Sequence, residues 1–567
     1  MRRFVPWLLS LLVLLTGCVS VPTAGPVERH TPKQQQVNPG VEIEAVPPAP
    51  GAAPSLIVEG FLHAMATYQP NYRVARQYLT TVADASWNPA SGVVVYADGY
   101  PPIVGDQGAQ LSGPLIGRLD GVGAFRPDPG PFRHDFGLVQ DAAGQWRISN
   151  APQGLLISQY LFATTYVRTE LRFWDRTRSW LVPDPRYFPK GQPALVDAVR
   201  AVIQGPSLWL APALRDPSGN MVELQELNVG ATGVVNVRLG DAANRLNWDQ
   251  RNHLLTELVW SLAGSEGVTG VRVAAGGEVW QPGSSVDGVL TSADYAERAP
   301  VATVRAATVF VVSQGSAAAV LDTSQGPELT PVAPGLARID SLAVRADASQ
   351  LAAVTHGRTR LRTVGLGGGT SRLELSGTQL LRPQYSRFDE LWVGTAAPGR
   401  APFTVRLDGK TIPVATTGLP AGTVRAFRLS PDGVRMVVVV GQGPRTWVGL
   451  ARIVRLGERI SVEGWQSVGP LGAAQNSTEI LDAAWDSAST LMLLSSSGGS
   501  TRVVSTDQDG AATRDVGPSD AADLTQLAMN PGVPGLILGS DGRLYRFYGE
   551  FNWGLMMAGV QAVAYPG

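Results

Sequence analysis

Apolar residues recur at three- and four-residue spacing in only a few stretches of this chain. Elsewhere they alternate with polar residues or gather in short runs between glycines and prolines. From Ser55 to Tyr68, Leu56, Ile57, Phe61 and Met65 fall on one stripe, and Arg73 to Leu79 keeps helical spacing after Pro70, so the pattern predicts two amphipathic helices. Strands are predicted at Val93 to Tyr96 and Leu115 to Leu119. A hairpin is predicted from Phe136 to Gln140 and Trp146 to Ser149, about the turn Asp141 to Gly144. These elements make an α+β unit over 55–165.

A second α+β unit is expected over 166–282. It opens with strands at Arg168 to Asp175 and Leu181 to Phe188. A helix from Pro193 to Gln204 follows, with Leu195, Val199, Val202 and Ile203 on its apolar face and Gly205-Pro206 as its stop. Strands at Leu224 to Val229 and Gly233 to Leu239 precede a second helix, Asp249 to Ala263. Leu254, Leu255, Leu258, Val259 and Leu262 form its stripe, Asn247 or Asp249 its cap, and Gly264 its end. A strand at Val268 to Val273 and a turn at Gly276-Gly277 close the unit, and 283–299 reads as a polar linker.

The remainder, 300–567, repeats. Strand-turn-strand units can be aligned at Val309 to Leu321, Leu351 to Val364, Leu391 to Leu407, Met436 to Val454, Leu491 to Ser505 and Leu536 to Phe547, starting about 40 to 55 residues apart. That spacing, with a Gly-rich turn in each unit, is the pattern of β-propeller blades. Similar turns precede several units: Arg345 to Ala348, Ser430 to Gly433, Trp485 to Ala488 and Asn530 to Gly532. Val560 to Gly567 resembles Val424 to Gly433, the inner strand and turn that open a unit, yet no hairpin follows it, while the hairpin from Val309 has no inner strand before it. The expectation is a six-bladed ring closed by the last strand, which hides both sheet edges; an open array is the alternative.

The first residues set the compartment. Met1-Arg2-Arg3 is followed by an apolar run from Phe4 to Leu15 and then by Thr16-Gly17-Cys18. This predicts a signal peptide over 1–17, too short to span a bilayer, which takes ~20 residues. Leu15-Thr16-Gly17-Cys18 resembles the lipobox of bacterial lipoproteins. The resemblance implies cleavage between Gly17 and Cys18, and diacylglycerol and an N-acyl chain such as palmitate on Cys18. The chain has one cysteine, hence no internal disulfide; an ordinary secretory signal is the alternative. The two acyl chains of the diacylglycerol alone anchor stably without a basic patch. The Pro-rich segment that completes 18–54 reads as a tether.

Glycine (64) and proline (42) in 567 residues agree with turn-rich β structure. With 46 basic against 47 acidic side chains, the surplus that a nucleic-acid binder needs near phosphate is missing. Candidate chemistry is sparse. His30, His63, His134, His253 and His356 show no zinc spacing, and no G-x-S-x-G elbow occurs. Gly409-Lys410-Thr411 lacks the glycine of a phosphate loop, Thr404 standing in its place, and reads as a type I′ turn at Asp408-Gly409. Gly365 to Gly369 lacks dinucleotide spacing, and Gly539 to Gly542 reads as a hairpin turn. Asp507-Gln508-Asp509-Gly510 is like part of a calcium loop without its terminal Glu, and is read as a turn. Asn476-Ser477-Thr478 is a sequon of little weight in a bacterial lipoprotein. No enzyme, resident metal or cofactor is expected, a glycosidase-like pair of carboxylates being the open alternative.

Three local resemblances add to this reading. The first unit, with its return strand Gly144-Gln145-Trp146-Arg147-Ile148, looks like the cone-shaped nuclear-transport-factor-like fold. The element order of the second, with Ile203-Gln204-Gly205-Pro206 and Leu210-Ala211-Pro212-Ala213-Leu214, resembles the GerMN domain. Together with the lipobox, the propeller and the stretch Leu181-Val182-Pro183-Asp184-Pro185-Arg186-Tyr187-Phe188-Pro189, the domain order resembles the LpqB family of actinobacterial lipoproteins. The resemblance implies a cell-membrane lipoprotein facing the extracytoplasmic side. It would act as a non-catalytic accessory of a two-component system, binding the external domain of the sensor kinase MtrB and modulating MtrA signalling in envelope and division control. A cell-wall ligand binder and an envelope hydrolase are the rival functions. The partner-binding surface is not assigned by the sequence.

Overall fold

The computed structural model describes residues 45–105, 108–214, 222–282, 287–299, 308–468, 478–518, 523–549 and 551–567. Gly17, Cys18 and the expected signal peptide lie outside the described residues, as do most of the expected tether and His30, Asn476 and Ser477.

In the first domain the helix Pro54–Ala66 begins with proline in its first turn, where the missing N–H has no helical partner to lose. It buries Ile57, Val58, Phe61, Leu62 and Met65. Any Cβ at Gly60 would run into the ring of Tyr78, whose hydroxyl donates to the Val46 carbonyl at 2.7 Å. Gly51 N donates to Gln145 Oε1 at 2.6 Å, so residues 45–54, expected as the end of the tether, lie against the domain. The second expected helix is broken. A 3-10 turn at Pro70–Tyr72 places Asn71 and Tyr72 at positive φ, one helical turn remains at Arg73–Arg76, and Thr80 caps a new helix, Thr81–Ser86. The sheet centres on Val93–Tyr96, parallel to Leu155–Ser158 and antiparallel to the long strand Gly108–Leu119, which also carries Phe125–Asp135. The hairpin Leu138–Gln140 and Trp146–Ile148 forms where predicted, its turn held by Asp141 Oδ1, which accepts from Ala143 N and Gln145 N at 2.9 Å.

The middle domain opens with the hairpin Tyr166–Trp174 and Leu181–Pro189. Helices Gln192–Gln204 and Trp248–Leu262 pack on a sheet ordered Leu224–Val229, Val234–Leu239, Gly270–Ala275, Glu278–Val279, whose two central strands run parallel. Asn247 caps the second helix in a box with Gln250. One sequence expectation changes here: residues 287–299 are not a free linker. Leu290 bridges Val271 and is fully buried, and a 3-10 turn at Ser292–Arg298 buries Tyr295, whose hydroxyl reaches Asn252 at 3.2 Å.

The third domain forms six blades of four strands among the described residues, the third and fourth joined edge to edge where Lys410–Thr416 runs parallel to Arg459–Ser467. Strand Ala562–Ala564 pairs with Val309–Ser313 as the inner strand of the first blade, so the ring closes as the repeat pattern predicts. The wide spacing after the fourth unit reflects long strands, Arg445–Leu456 and Arg459–Ser467, rather than an extra described strand. Asp408 and Gly409 sit at φ 49° and 77°, which is the type I′ geometry. Residues 45–567 form one compact unit.

Candidate functional site

Strand Leu181–Pro189 joins all three domains. It is paired on one side only, with Tyr166–Trp174, and its other edge faces the neighbouring domains. Tyr187 N donates across that free edge to the Gly123 carbonyl of the first domain at 2.8 Å, and the Pro183 carbonyl accepts from Arg435 of the fourth blade at 3.2 Å. The period of two therefore places Pro183 and Pro185, which have no N–H, at edge positions where no ladder bond is lost. The Tyr187 ring packs on Phe125 and Phe162, with centroids 5.9 and 5.1 Å away, and its hydroxyl donates to Asp509 Oδ1 in the fifth blade at 3.3 Å. Asp184 is buried and takes Arg186 Nη2 and Ser207 N, both at 2.7 Å.

The propeller side of this junction is made from turns of the fourth and fifth blades. Arg435, 1% exposed, donates to Asp432, to Gln508 Oε1 and to the Ala488 carbonyl (3.1 Å), and stacks over Trp485 at 5.3 Å. Trp209 donates to the Gly464 carbonyl, and its own carbonyl accepts from Arg452 at 2.7 Å. The apolar core of the middle domain runs on through Val434 and Val454 of the fourth blade.

Between these contacts lies a cluster of charges. Arg168 faces Glu170 at 3.0 Å and Asp507 at 3.7 Å, and Glu170 also pairs with Arg172 at 2.7 Å and accepts from Ser489. Burial works against the Glu170 carboxylate, but Arg172, Ser489 and Arg168 together overcome it and hold its pKa below the usual range. Asp509 goes the other way. Its Oδ2 is enclosed and finds no donor among the described residues, and burial, despite Arg168, pushes its pKa up to about 6.

The folded state therefore binds this proton more tightly than the unfolded chain. The contribution of Asp509 to stability falls as pH rises from 3.8 to about 6. Asp509→Asn is expected to be more stable than the parent at pH 8 and to lose that advantage as pH falls through this window. Urea unfolding of both proteins at several pH values checks it; a constant difference would contradict the assignment.

A second feature is the mouth of the propeller channel, on the face where the hairpin docks. It holds a cavity of about 190 Å³ walled by Tyr385, Trp485, Met529 and Tyr565 with prolines at its rim. The turns that punctuate the repeats, including Ala346, Pro431 and Pro531, form that rim. At its base Arg382 and Arg428 converge on Asp482, at 2.5 and 2.9 Å, and Asp482 also accepts from Ala483 N and Leu527 N at 2.9 Å. Arg387, on the rim, stacks on Trp180 of the middle domain with its guanidinium 3.5 Å from the ring centroid.

Among the described residues the histidines are not gathered. His63 is exposed, His134 bonds the Asn150 carbonyl, His253 packs against Trp174, and His356 sits in a hairpin turn. No group of three or more His, Cys, Asp or Glu able to hold a metal occurs among the described residues. Asp507 to Gly510 is a turn of the fifth blade, as read from sequence, and also a docking surface, which the sequence reading missed. Arg382, Arg428, Asp482 and Arg435 were missed as well. Their available signal was a charge set inside an otherwise apolar strand or against its turn.

Comparison with known proteins places the described domains. Residues 47–163 match the family description "Lipoprotein LpqB, N-terminal domain", 166–279 match "Sporulation and spore germination" (Germane), and 319–566 match "Lipoprotein LpqB beta-propeller domain". Lipoprotein LpqB of Cutibacterium acnes is 30% identical, with 97% of each chain covered. That of Streptomyces coelicolor is 26% identical over 100% of this chain and 98% of its own. That of Mycobacterium bovis is 28% identical over 76% of this chain and 78% of its own. No helix of the described residues is long and apolar enough to cross a membrane.

Proposed function

The chain belongs to the LpqB lipoprotein family, and from that membership we propose that it is a lipid-anchored, non-catalytic accessory of a two-component system. Cys18 carries the anchor, the folded domains face the extracytoplasmic side, and the partner is the external domain of the sensor kinase MtrB, through which MtrA signalling is modulated. The observation that carries this reading is the junction at Leu181–Pro189. Tyr187 and Arg435 tie three domains into one body, so a contact made anywhere on that body is presented in fixed geometry. A body tethered in the same membrane as its partner gains effective concentration, so that a modest contact suffices.

Crosslinking in membranes, followed by mass spectrometry, tests the reading. Wild-type protein is expected to crosslink to the external domain of a histidine kinase, and Cys18→Ala to lose those crosslinks by at least ~10-fold, in line with the loss of membrane confinement. Crosslinks only to wall-synthesis proteins, or kinase crosslinks that survive unchanged in Cys18→Ala, would overturn it.

A further inference from the structure

We propose that the outer strand of the sixth blade, Asn552–Met557, is an open sheet edge on which a second copy of this chain pairs, its own Asn552–Met557 laid antiparallel across a two-fold axis. The proposal rests neither on the kinase reading nor on the lipid anchor.

The outer strands of the six blades give the first argument. A strand at a sheet edge presents a row of unpaired N–H and C=O groups, and proteins block such edges with charge, proline or a covering element. Three blades carry such guards: Pro327 and Glu328 in Gly326–Pro331, Arg372 and Glu374 in Arg372–Ser376, and Arg514 and Asp515 in Thr513–Gly517. The outer strands of the third and fourth blades cover each other by pairing in parallel. Asn552–Met557 has none of these protections. Among the described residues it pairs only with Leu544–Gly549, and its sequence, Asn552-Trp553-Gly554-Leu555-Met556-Met557, holds no charge and no proline. No backbone–backbone hydrogen bond leads from this strand out of its own sheet among the described residues.

The side chains beside the edge give the second. Tyr548, Phe551 and Leu555 are 62%, 56% and 60% exposed, three large aromatic or apolar side chains within eight residues. The fold holds the first two at the edge. The Tyr548 ring lies across Gly554, where a Cβ would come within 2.8 Å of it, and Phe551 lies against Gly517 of the fifth blade. Phe551 also has φ 66°, a conformation that is costly for a bulky residue. More than half of its surface stays open in one copy, so its burial is left for an occupant to supply.

The chemistry of the edge decides what that occupant is. Open backbone groups call for another extended strand, and the third and fourth blades show that an outer edge in this fold accepts one. A neutral edge gives an oppositely charged strand nothing to select, whereas it meets its own copy with no like charges opposed. From Phe551 to Gly567 the chain carries no charged side chain at all. A two-fold contact uses one patch twice. In antiparallel pairing about an axis normal to the sheet, opposed residues share a face, so the axis passes through a residue. With the axis at Leu555, the exposed apolar residue of the strand, the two leucines bury each other.

The test uses the full-length protein in a non-ionic detergent, with its mass followed by sedimentation over a concentration series. Wild type is expected to be dimeric by ~100 μM. Leu555→Lys and Leu555→Glu each set like charges face to face at the axis. Each is expected to weaken association at least ~10-fold with the thermal midpoint unchanged, because the side chain is exposed in one copy. Mixing the two variants is expected to restore the dimer, since only symmetric pairing sets position 555 opposite itself. Leu373→Lys, an exposed position on the guarded outer strand of the second blade, is expected to leave association unchanged. A wild type that stays monomeric at ~100 μM, a dimer that survives in both charged Leu555 variants, or a mixture that stays monomeric would each overturn the proposal. Crosslinking of Leu555→Cys in membranes then identifies the alternative: a monomer that links there to another protein gives the edge to that protein's strand.

Discussion

Replacing Val563 by aspartate is expected to open the propeller and lower its stability by more than ~4 kcal/mol, enough to leave little folded protein. Val563 is fully buried in the closing strand, between the first and sixth blades, where it packs with Val309, Val311, Leu536, Leu538 and Leu544. Its backbone pairs with Val311, and its carbonyl accepts from Gln526 Nε2 at 2.5 Å, so the strand is held to both blades at once. A carboxylate there has no cation in its cluster and must be desolvated or protonated, a penalty of several kcal/mol. Val563→Ala separates this effect from packing alone: it removes two methyl groups and is expected to cost about 2 kcal/mol with the ring still closed. Urea unfolding followed by tryptophan fluorescence reads both. An aspartate variant no worse than the alanine variant would show that the closing strand is dispensable.

How far the sequence reaches depends on how local each feature is. Closure could be read because the evidence sits in one strand: Val560 to Gly567 repeats the pattern of Val424 to Gly433 and has no hairpin after it. The turn at Asp408-Gly409 and the cap at Asn247 could be read for the same reason, since each is decided within four residues. The broken helix after Pro70 was not legible. Periodicity alone continues through Arg73 to Leu79, while Asn71 and Tyr72 turn to positive φ and the Tyr72 ring packs edge-on against Tyr68 and Trp87. The burial of Leu290 and Tyr295 was hidden by their polar neighbours.

The candidate site is the extreme case. Arg382 and Asp482 are 100 residues apart and Arg428 and Asp482 are 54 apart, so only the ring brings them together. Even so, the stretch Leu181 to Pro189, noticed as distinctive in sequence, proves to be the junction. Its paired prolines are what an edge strand docked on other domains allows.

That junction carries the second large effect. Arg435→Met is expected to cost ~3–5 kcal/mol, because it leaves Asp432, 1% exposed, with its charge uncompensated. Asp432 would keep Ser430 Oγ and Val434 N as donors, which are too little to replace a guanidinium. Adding Asp432→Asn removes the stranded charge, and replacing both members of a buried pair is often neutral or stabilising. The double variant is therefore expected to recover most of the propeller's stability. Docking should not recover with it, because the Pro183 carbonyl and Gln508 still lose their shared donor. Calorimetry distinguishes the two consequences. Wild type should melt in one transition, Arg435→Met in separate and lowered ones, and the double variant with the propeller transition restored while the first two domains still melt early. Restoration of a single transition in the double variant would mean that Arg435 serves the fold of its own blade, and that Tyr187 with its aromatic neighbours is enough to hold the three domains together.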